Sequence, residues 1–386
     1  MNIKETDKKY IMATYGRLDL EIVSGKGSAL KDSSGKEYID FGSGIAVNTF
    51  GACDEEWIAA VCAQLNTIQH TSNYYYTKPC SDLAELICAK TGMSKVFFSN
   101  SGAEANECAI KAARKYGTDK SPEKNIIITL KNSFHGRTVT TLSATGQEVF
   151  HKHFTPFTEG FVYVEANNIE ELKAMANENC CAIMFELIQG EGGVLPLTKE
   201  FVLAAQEIAN ENDMLLIIDE VQTGNGRTGK LYAYQHFGIT PDIFTTAKGL
   251  AGGLPIGATV FSKKLETILP AGSHGSTFGR NPVSAAAALN VLSRLDDAFL
   301  DTVLENSSYL ISRLKEIKGV QEICGMGYML GLKTNFDAKA ILQKCLESGL
   351  LVLTAKDKVR LLPPLNITQK ELDKGIEILK SVIESL

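Results

Sequence analysis

The stretch that decides the fold is residues 214–249, MLLIIDEVQTGNGRTGKLYAYQHFGITPDIFTTAKG. It begins with an apolar run that ends in Asp219. A second run, DIFTT at 242–246, ends shortly before Lys248. Continuous apolar runs of this length are typical of strands buried on both faces of a sheet. The stretch therefore predicts two buried strands, one followed directly by a carboxylate and the other by an amine.

Four further runs of the same kind surround this stretch: KVFFS at 95–99, NIIITL at 125–130, AIMFE at 182–186 and ATVFS at 258–262. Longer amphipathic segments lie between the runs, and the clearest helix candidates are 102–116, 168–177 and 199–212. Strands that alternate with helices predict an α/β fold in which helices cover a mostly parallel sheet.

The two ends of the chain have a different pattern. Residues 19–42 resemble a small β-element, a long helical stretch occupies 282–317, and a mixed α+β tail follows at 318–386. Its last helix begins at Thr368, where TQKE is a capping-box pattern. Because 386 residues exceed one ordinary core, we expect a large domain at 50–283 and a smaller domain formed by 1–49 and 284–386.

Composition excludes several classes of protein. The chain is 44% hydrophobic and 22% charged, as globular proteins are, and it has no apolar run long enough for a membrane span. Its net charge of −6 argues against a nucleic-acid or anionic-membrane partner. The start, MNIKETDKKY, lacks the apolar core of a signal peptide. Nine scattered cysteines without a C-x-x-C pair predict reduced thiols and a cytoplasmic protein.

Two motifs suggest functions that the surrounding residues do not support. GNGRTGK at 224–230 matches two glycine-rich phosphate-binding patterns. However, Leu231 replaces the Ser or Thr of a P-loop, and five residues separate the motif from its strand. We therefore expect a structural turn. The pair His151 and His153 has no acidic or cysteine partner at ligand spacing, so we expect a solvated surface pair and no metal.

Lys248 is the residue that most needs an explanation. A lysine between a strand end and a glycine risks costly burial of its charge unless the amine is used, although a lysine that reaches solvent from a loop is the alternative. Pyridoxal phosphate would use it, because this cofactor needs a lysine amine, a carboxylate for its pyridine nitrogen, a side chain against its ring and donors for its phosphate.

The sequence offers a candidate for each of these groups. Asp219 is a candidate partner for the pyridinium. Gly102 opens a helix in the segment SNSGAE, where Ser101 and Glu104 form an S-x-x-E capping box. Phe134 follows the strand at 125–130 and is a candidate to lie on the ring. Each has an ordinary structural alternative: a turn residue, a capped helix and a core phenylalanine.

Taken together, the motifs resemble those of the class III aminotransferases. They are SGAEANE, SFHGRT, IQGEGG, IIDEVQTGNGRTGK, TTAKGLAGGLPIG, HGSTFGRNP and VRLLPPL, in this order. The segments YIDFGSGIAV and HTSNYYYT and the overall length are most similar to bacterial acetylornithine aminotransferases. The resemblance extends from about Tyr15 to the C-terminus. It implies the fold of fold-type I pyridoxal-phosphate enzymes.

The resemblance also implies roles for individual residues. Lys248 would hold pyridoxal 5'-phosphate as a Schiff base and act in catalysis together with Asp219. Thr277 would reach the phosphate of a neighbouring subunit, so that a homodimer shares its active sites. The other implied cofactor contacts are Ser101, Gly102, Ala103, Phe134, Glu220, Val221 and Gln222. Asn225, Arg280 and Ala103 depart from the residues usual in the family.

Four residues are implied in substrate binding: Arg137, Ser276, Glu191 and Arg360. Arg137 would bind a carboxylate. Arg360 would bind the α-carboxylate of 2-oxoglutarate, and Glu191 would neutralise Arg360 when the amino donor is present. Glu186 would support Gln222. Because Glu191 and Arg360 lie 169 positions apart, the sequence alone leaves open whether they meet.

The expected reaction transfers the terminal amino group of N2-acetyl-L-ornithine to 2-oxoglutarate, giving N-acetyl-L-glutamate 5-semialdehyde and L-glutamate, a step of arginine biosynthesis. Alternative donors are ornithine, succinylornithine, succinyldiaminopimelate and 4-aminobutyrate, and a related aminomutase is a further alternative. A nucleotide-binding P-loop protein and a non-catalytic protein of the same fold are the alternatives from other classes.

Overall fold

The computed structural model describes residues 2–386. Its strands are β1 (Ile22–Lys26), β2 (Ala29–Asp32), β3 (Glu37–Asp40), β4 (Lys95–Ser99), β5 (Ile126–Leu130), β6 (Phe161–Val164), β7 (Cys180–Phe185), β8 (Ile188–Gln189), β9 (Leu195–Pro196), β10 (Leu215–Asp219), β11 (Ile243–Thr246), β12 (Gly257–Phe261), β13 (Val320–Met326), β14 (Met329–Thr334), β15 (Leu350–Leu351), β16 (Leu353–Ala355) and β17 (Lys358–Leu361).

The helices are α1 (Ile3–Tyr10), α2 (Ser43–Ala46), α3 (Glu55–Leu65), α4 (Lys78–Thr91), α5 (Gly102–Thr118), α6 (Val139–Ala144), α7 (Ile169–Met175), α8 (Lys199–Glu211), α9 (Pro282–Arg294), α10 (Asp297–Lys315), α11 (Ala338–Glu347) and α12 (Gln369–Glu384). Within the described residues, no helix combines the length and the apolar character needed to cross a membrane.

The central sheet has the strand order β4-β12-β11-β10-β7-β5-β6. Strand β10 runs parallel to β7 and β11, and β5 runs parallel to β6 and β7. Only β12 is antiparallel to its neighbours, β11 and β4. The prediction of a mostly parallel α/β sheet is therefore confirmed. The sequence analysis missed β6, whose residues FVYV are mostly half-buried and form no long apolar run.

The apolar runs arise because successive side chains of a strand point to opposite faces of the sheet. In β10, Ile217 packs on one face in a cluster with Ile110 of α5. Ile218 packs on the other face in a cluster with Phe201 of α8. Helices cover both faces, so every position of β10 is buried. This burial on two sides fixes the central strands and holds their C-terminal ends in place.

The two ends of the chain meet in a separate sheet with the order β1-β2-β3-β15. Strand β15 pairs with β3 in parallel, through Leu350 opposite Ile39 and Leu351 opposite Asp40. This pairing joins the N-terminal and C-terminal segments, as a small domain built from both requires. The domain boundaries at 50 and 283 remain a proposal.

The C-terminal helices differ from the sequence prediction in one respect and agree with it in another. The stretch 282–317 forms two helices, α9 and α10, because the side chain of Asp296 accepts a hydrogen bond from the backbone of Phe299 and starts a new helix. The closing helix α12 does begin with the predicted capping box between Thr368 and Glu371.

The GNGRTGK segment forms a turn, as expected, rather than the start of a helix. Asn225, Gly226 and Gly229 have φ angles of 57°, 85° and 83°, in the left-handed region that favours glycine and tolerates asparagine. The segment continues into the 3₁₀ turn Ala233–His236, so it offers no helix N-terminus for a phosphate.

Candidate active site

A cavity of about 470 Å³ lies where β10 and β11 end and α5 begins. The C-terminal ends of parallel strands lie on the same side of an α/β sheet, and proteins of this kind bind ligands just beyond these strand ends. The cavity brings together most of the residues singled out in the sequence: Ser101, Gly102, Ala103, Phe134, Arg137, Glu191, Asp219, Val221, Gln222 and Lys248.

Lys248 is separated from the end of β11 by Ala247 and has a φ of 44°, a conformation that is costly for a residue with a side chain. The buried side chain of Asn225 secures this backbone by donating to Thr246 Oγ1 at 2.9 Å and to the Ala247 carbonyl at 3.1 Å. Burial lowers the pKa of Lys248, although Glu191 opposes the change. A buried amine whose pKa is lowered is closer to the neutral state that proton transfer and nucleophilic attack require.

Asp219 is held at the cavity by three hydrogen bonds. Its Oδ2 lies 2.8 Å from both Asn106 Nδ2 and His135 Nδ1, and its Oδ1 accepts from the backbone of Val221 at 3.0 Å. Thr245 donates to Asn106 Oδ1 at 2.7 Å, which fixes the orientation of that amide. Asp219 is 3% exposed, so these donors compensate for much of the cost of burying its charge.

The sequence analysis did not assign roles to Asn106 and His135. Asn106 lies on the first turns of α5, and His135 follows Phe134. A polar side chain on the buried face of an otherwise apolar helix is a signal that could have identified Asn106.

The start of α5 forms a close-fitting surface at the cavity. Ser101 accepts from the backbone of Glu104 at 3.2 Å. The Glu104 carboxylate, however, accepts from the backbone nitrogen of Asn100 at 2.6 Å and not from that of Ser101. The first half of the predicted capping box is therefore present, and the reciprocal half is wrong. A Cβ atom on Gly102 would lie 2.6 Å from Val221 Cγ1, which leaves no room for a side chain. Ser101, Gly102 and Ala103 line the cavity, so this helix start faces the space in which an anion could bind its backbone N–H groups.

Arg360 and Glu191 do meet. Arg360 Nη1 donates to Glu191 Oε1 at 2.6 Å and lies 3.3 Å from Gln222 Oε1. Arg360 belongs to β17, whereas Glu191 lies in the turn between β8 and β9. Burial raises the pKa of Glu191, but Arg360 outweighs this effect and the net pKa is lowered. The pair is therefore ionised, and Glu191 neutralises Arg360.

Glu186 and Glu220 differ from the expectations. Glu186 accepts from the backbone of Phe134 at 2.9 Å and of Gly190 at 3.1 Å rather than from Gln222, and burial raises its pKa. Glu220 was expected to contact the cofactor, but it points away from the cavity and accepts from Thr223 Oγ1 and the Tyr234 backbone at 2.5 and 2.8 Å. Burial raises the pKa of Glu220 to about 7.

Ser276 and Thr277 lie outside the cavity lining. Ser276 Oγ accepts from Asn100 Nδ2 at 3.2 Å and from the Gly279 backbone at 3.0 Å, so it borders the cavity through Asn100. Thr277 is exposed, and the neighbouring Phe278 is 60% exposed. That position is compatible with the expectation that Thr277 serves a neighbouring subunit.

The histidine pair is different from the solvated pair we expected. His151 is half-buried, its Nε2 lies 2.9 Å from the Leu142 carbonyl, and its ring packs 4.9 Å from that of Phe157. His153 is exposed. Across residues 2–386, no group of three or more His, Cys, Asp or Glu side chains is arranged to hold a metal ion.

A family model described as "Aminotransferase class-III" matches residues 10–383. The chain belongs to the class-III aminotransferases.

Relatives within the family cover essentially the whole of this class-III aminotransferase. The acetylornithine aminotransferase of Haemophilus ducreyi is 48% identical over 388 residues, covering 100% of this chain and 99% of the relative. That of Caldanaerobacter subterraneus is 47% identical and covers 98% of each chain.

Solved structures confirm the fold-type I prediction. Toxoplasma gondii ornithine aminotransferase has a TM-score of 0.95 at 30% identity, covering 99% of this chain and 94% of that one. The N-acetylornithine aminotransferase of Stenotrophomonas maltophilia has a TM-score of 0.85 at 35% identity, covering 99% and 98%.

Proposed function

We propose that this class-III aminotransferase uses pyridoxal 5'-phosphate to transfer the terminal amino group of N2-acetyl-L-ornithine to 2-oxoglutarate. The products are N-acetyl-L-glutamate 5-semialdehyde and L-glutamate, which places the enzyme in arginine biosynthesis. The observation that carries the proposal is the convergence of Lys248 and Asp219 on one cavity. The relatives named acetylornithine aminotransferase, 47–48% identical over nearly full length, support the choice of donor.

The cavity residues fit the cofactor. Lys248 supplies an amine, Asp219 a fixed carboxylate, and the start of α5 presents backbone N–H groups beside a glycine that admits no side chain. We assign ring contacts to Phe134 and Val221, a contact with the phenolic oxygen to Gln222, and phosphate contacts to Ser101, Gly102 and Ala103. When bound, the cofactor supplies the electron sink for breaking the C–H bond beside the transferred amine.

Lys248 acts as the proton carrier in this proposal. Its lowered pKa favours a neutral amine, which could take the proton from the carbon that bears the donor's amine and would then give that proton to the bound cofactor. Asp219 would stabilise a positive charge at the ring nitrogen of the bound cofactor, because its own orientation is fixed by Asn106, His135 and the Val221 backbone.

Arg137 and Arg360 differ in whether a carboxylate partner neutralises them, and this difference would let one site bind two different substrates. Arg137 borders the cavity and binds the carboxylate of the amino donor as a planar fork. Arg360 is neutralised by Glu191 while the donor is present. 2-Oxoglutarate carries a second carboxylate that displaces Glu191 and binds Arg360.

We further propose a cytoplasmic homodimer with shared active sites. Tyr74 and Tyr76 are 93% and 95% exposed, and Phe278, next to Thr277, is 60% exposed. Aromatic side chains left this open to water are typical of surfaces that a partner covers. In the dimer, Thr277 contacts the phosphate of the neighbouring subunit and Ser276 contributes to substrate binding.

Replacing Glu191 with Gln should change the choice of substrate. Arg360 would lose its counter-ion and stay available for a carboxylate, so we expect kcat/KM for N-acetylornithine to fall about tenfold and the KM for 2-oxoglutarate to fall or stay constant. Steady-state kinetics of each substrate test this prediction. Equal losses for both substrates would contradict the assigned role of Glu191.

The donor is tested by kcat/KM values for N-acetylornithine, ornithine, succinylornithine, succinyldiaminopimelate and 4-aminobutyrate with 2-oxoglutarate as acceptor. We expect N-acetylornithine to be preferred over free ornithine by at least about tenfold. A higher value for any of the other donors would replace the proposed substrate and leave the aminotransferase assignment intact.

A further inference from the structure

Arg137 is held at the cavity by aromatic rings. Its guanidinium carbon lies 3.9 Å from the ring centre of Phe150 and 5.3 Å from that of Phe134. The two rings meet edge to face, with centres 5.8 Å apart. In residues 2–386, Arg137 has no carboxylate within ion-pair distance and makes no side-chain hydrogen bond, in contrast to Arg360 with its partner Glu191.

Phe150 is well placed to hold another side chain because its segment is fastened on both sides. Gln147 Nε2 donates to the Ser133 carbonyl at 3.0 Å, next to Phe134. His151 Nε2 lies 2.9 Å from the Leu142 carbonyl of α6. The short 3₁₀ turn Glu148–Phe150 is thus attached to the segment that carries Phe134 and Arg137.

We infer that Phe150 is a positioning residue that fixes the Arg137 guanidinium for a donor carboxylate and so makes the enzyme select donors that carry one. This inference deepens the proposed function, since it rests on Arg137 as the carboxylate-binding group. Phe150 contacts Arg137 and does not line the cavity, so its effect on substrates passes through the arginine.

Stacking and ion pairing have different consequences for an arginine. A ring that lies over the guanidinium plane attracts its charge through the π-face and leaves the N–H donors, which point outward in the plane, available. A carboxylate partner would use two of those donors and cancel the charge. Arg137 is therefore oriented yet chemically free, whereas Arg360 has to be released from Glu191 first.

The experiment compares N-acetylornithine with N-acetylputrescine, which is the same molecule without the carboxylate. In the cofactor-loaded enzyme we expect Phe150→Leu to lower kcat/KM for N-acetylornithine about three- to fivefold, mainly through KM. We expect kcat/KM for N-acetylputrescine to change less than about twofold. The ratio of the two values on one preparation is independent of the fraction of protein that is folded and active.

Three further variants complete the test. Phe150→Tyr retains the ring and should restore the wild-type ratio, and Phe154→Leu, at a 61% exposed site in the same segment, should leave it unchanged. In an Arg137→Ala background, Phe150→Leu should no longer change the ratio, because the two residues act as one unit. Equal losses on both amines, or a full effect of Phe150→Leu without Arg137, would overturn the inference.

These outcomes are separate from a failure of the proposed function. If the wild-type enzyme prefers another ω-amino acid, the proposed donor is wrong. The inference is then decided by the same ratio, measured for that amino acid and its decarboxylated analogue.

Discussion

The Lys248→Ala enzyme is expected to lose turnover by about 10⁴-fold or more, because the side chain that attaches the cofactor and carries the proton is gone. The loss should appear in kcat with any amino donor. Covalent attachment should disappear as well. After borohydride treatment and peptide mapping, the wild-type protein should carry the cofactor on the peptide that contains Lys248, and the variant should carry none.

Lys230→Ala is the matched control, since Lys230 is an exposed lysine in the connection between β10 and β11 and lies outside the cavity lining. It should retain wild-type rates and cofactor attachment. Multiple turnovers by Lys248→Ala, or attachment of the cofactor to a different lysine, would refute the assignment.

Asp219→Asn is expected to lower kcat by about 10²–10³-fold. The substitution keeps the size of the side chain but removes the charge that stabilises a protonated ring nitrogen. It also brings an amide NH₂ or an uncharged oxygen to the Asn106 and His135 donors, so one of those hydrogen bonds is weakened. Single-turnover rates with N-acetylornithine measure the effect on the chemical step.

A second carboxylate of the same sheet provides the control for Asp219. Asp242 lies just before β11, at the N-terminal end of the strand and away from the cavity. Its Oδ2 accepts from the backbone of Leu216 at 3.0 Å. Asp242→Asn should reduce stability slightly and leave the single-turnover rate unchanged. A rate for Asp219→Asn within about threefold of wild type would contradict the proposed role of its charge.

The sequence predicted most of the central sheet, because a strand that is buried on both faces consists of consecutive apolar residues. The groups that pyridoxal phosphate needs, together with the family resemblance, also predicted that Lys248 and Asp219 belong to one site. The structure brings them together because β10 and β11 are adjacent parallel strands, so that their C-terminal ends lie side by side. The sequence did not predict which way the Glu220 side chain points. The backbone leaves β10 after Asp219 and turns, so the adjacent carboxylate faces Thr223 and Tyr234 instead of the cavity.

Contacts between distant segments were the other part that the sequence left open. Glu191 and Arg360 meet because the β8–β9 hairpin turn lies close to β17, and neither segment has a local pattern that shows this. His151 was expected to be a solvated surface residue, and no sequence pattern singled out Phe150. Their roles depend on the Gln147 and His151 hydrogen bonds that attach this segment to the rest of the site.

The most direct measurement of the central claim is a single half-reaction. Cofactor-loaded enzyme is mixed with excess N-acetylornithine in the absence of 2-oxoglutarate, and the semialdehyde is quantified. We predict about one equivalent of semialdehyde per active site and then no further product. Later addition of 2-oxoglutarate should give an equal amount of glutamate. Continuous semialdehyde production without an acceptor, or no semialdehyde at all, would contradict the account.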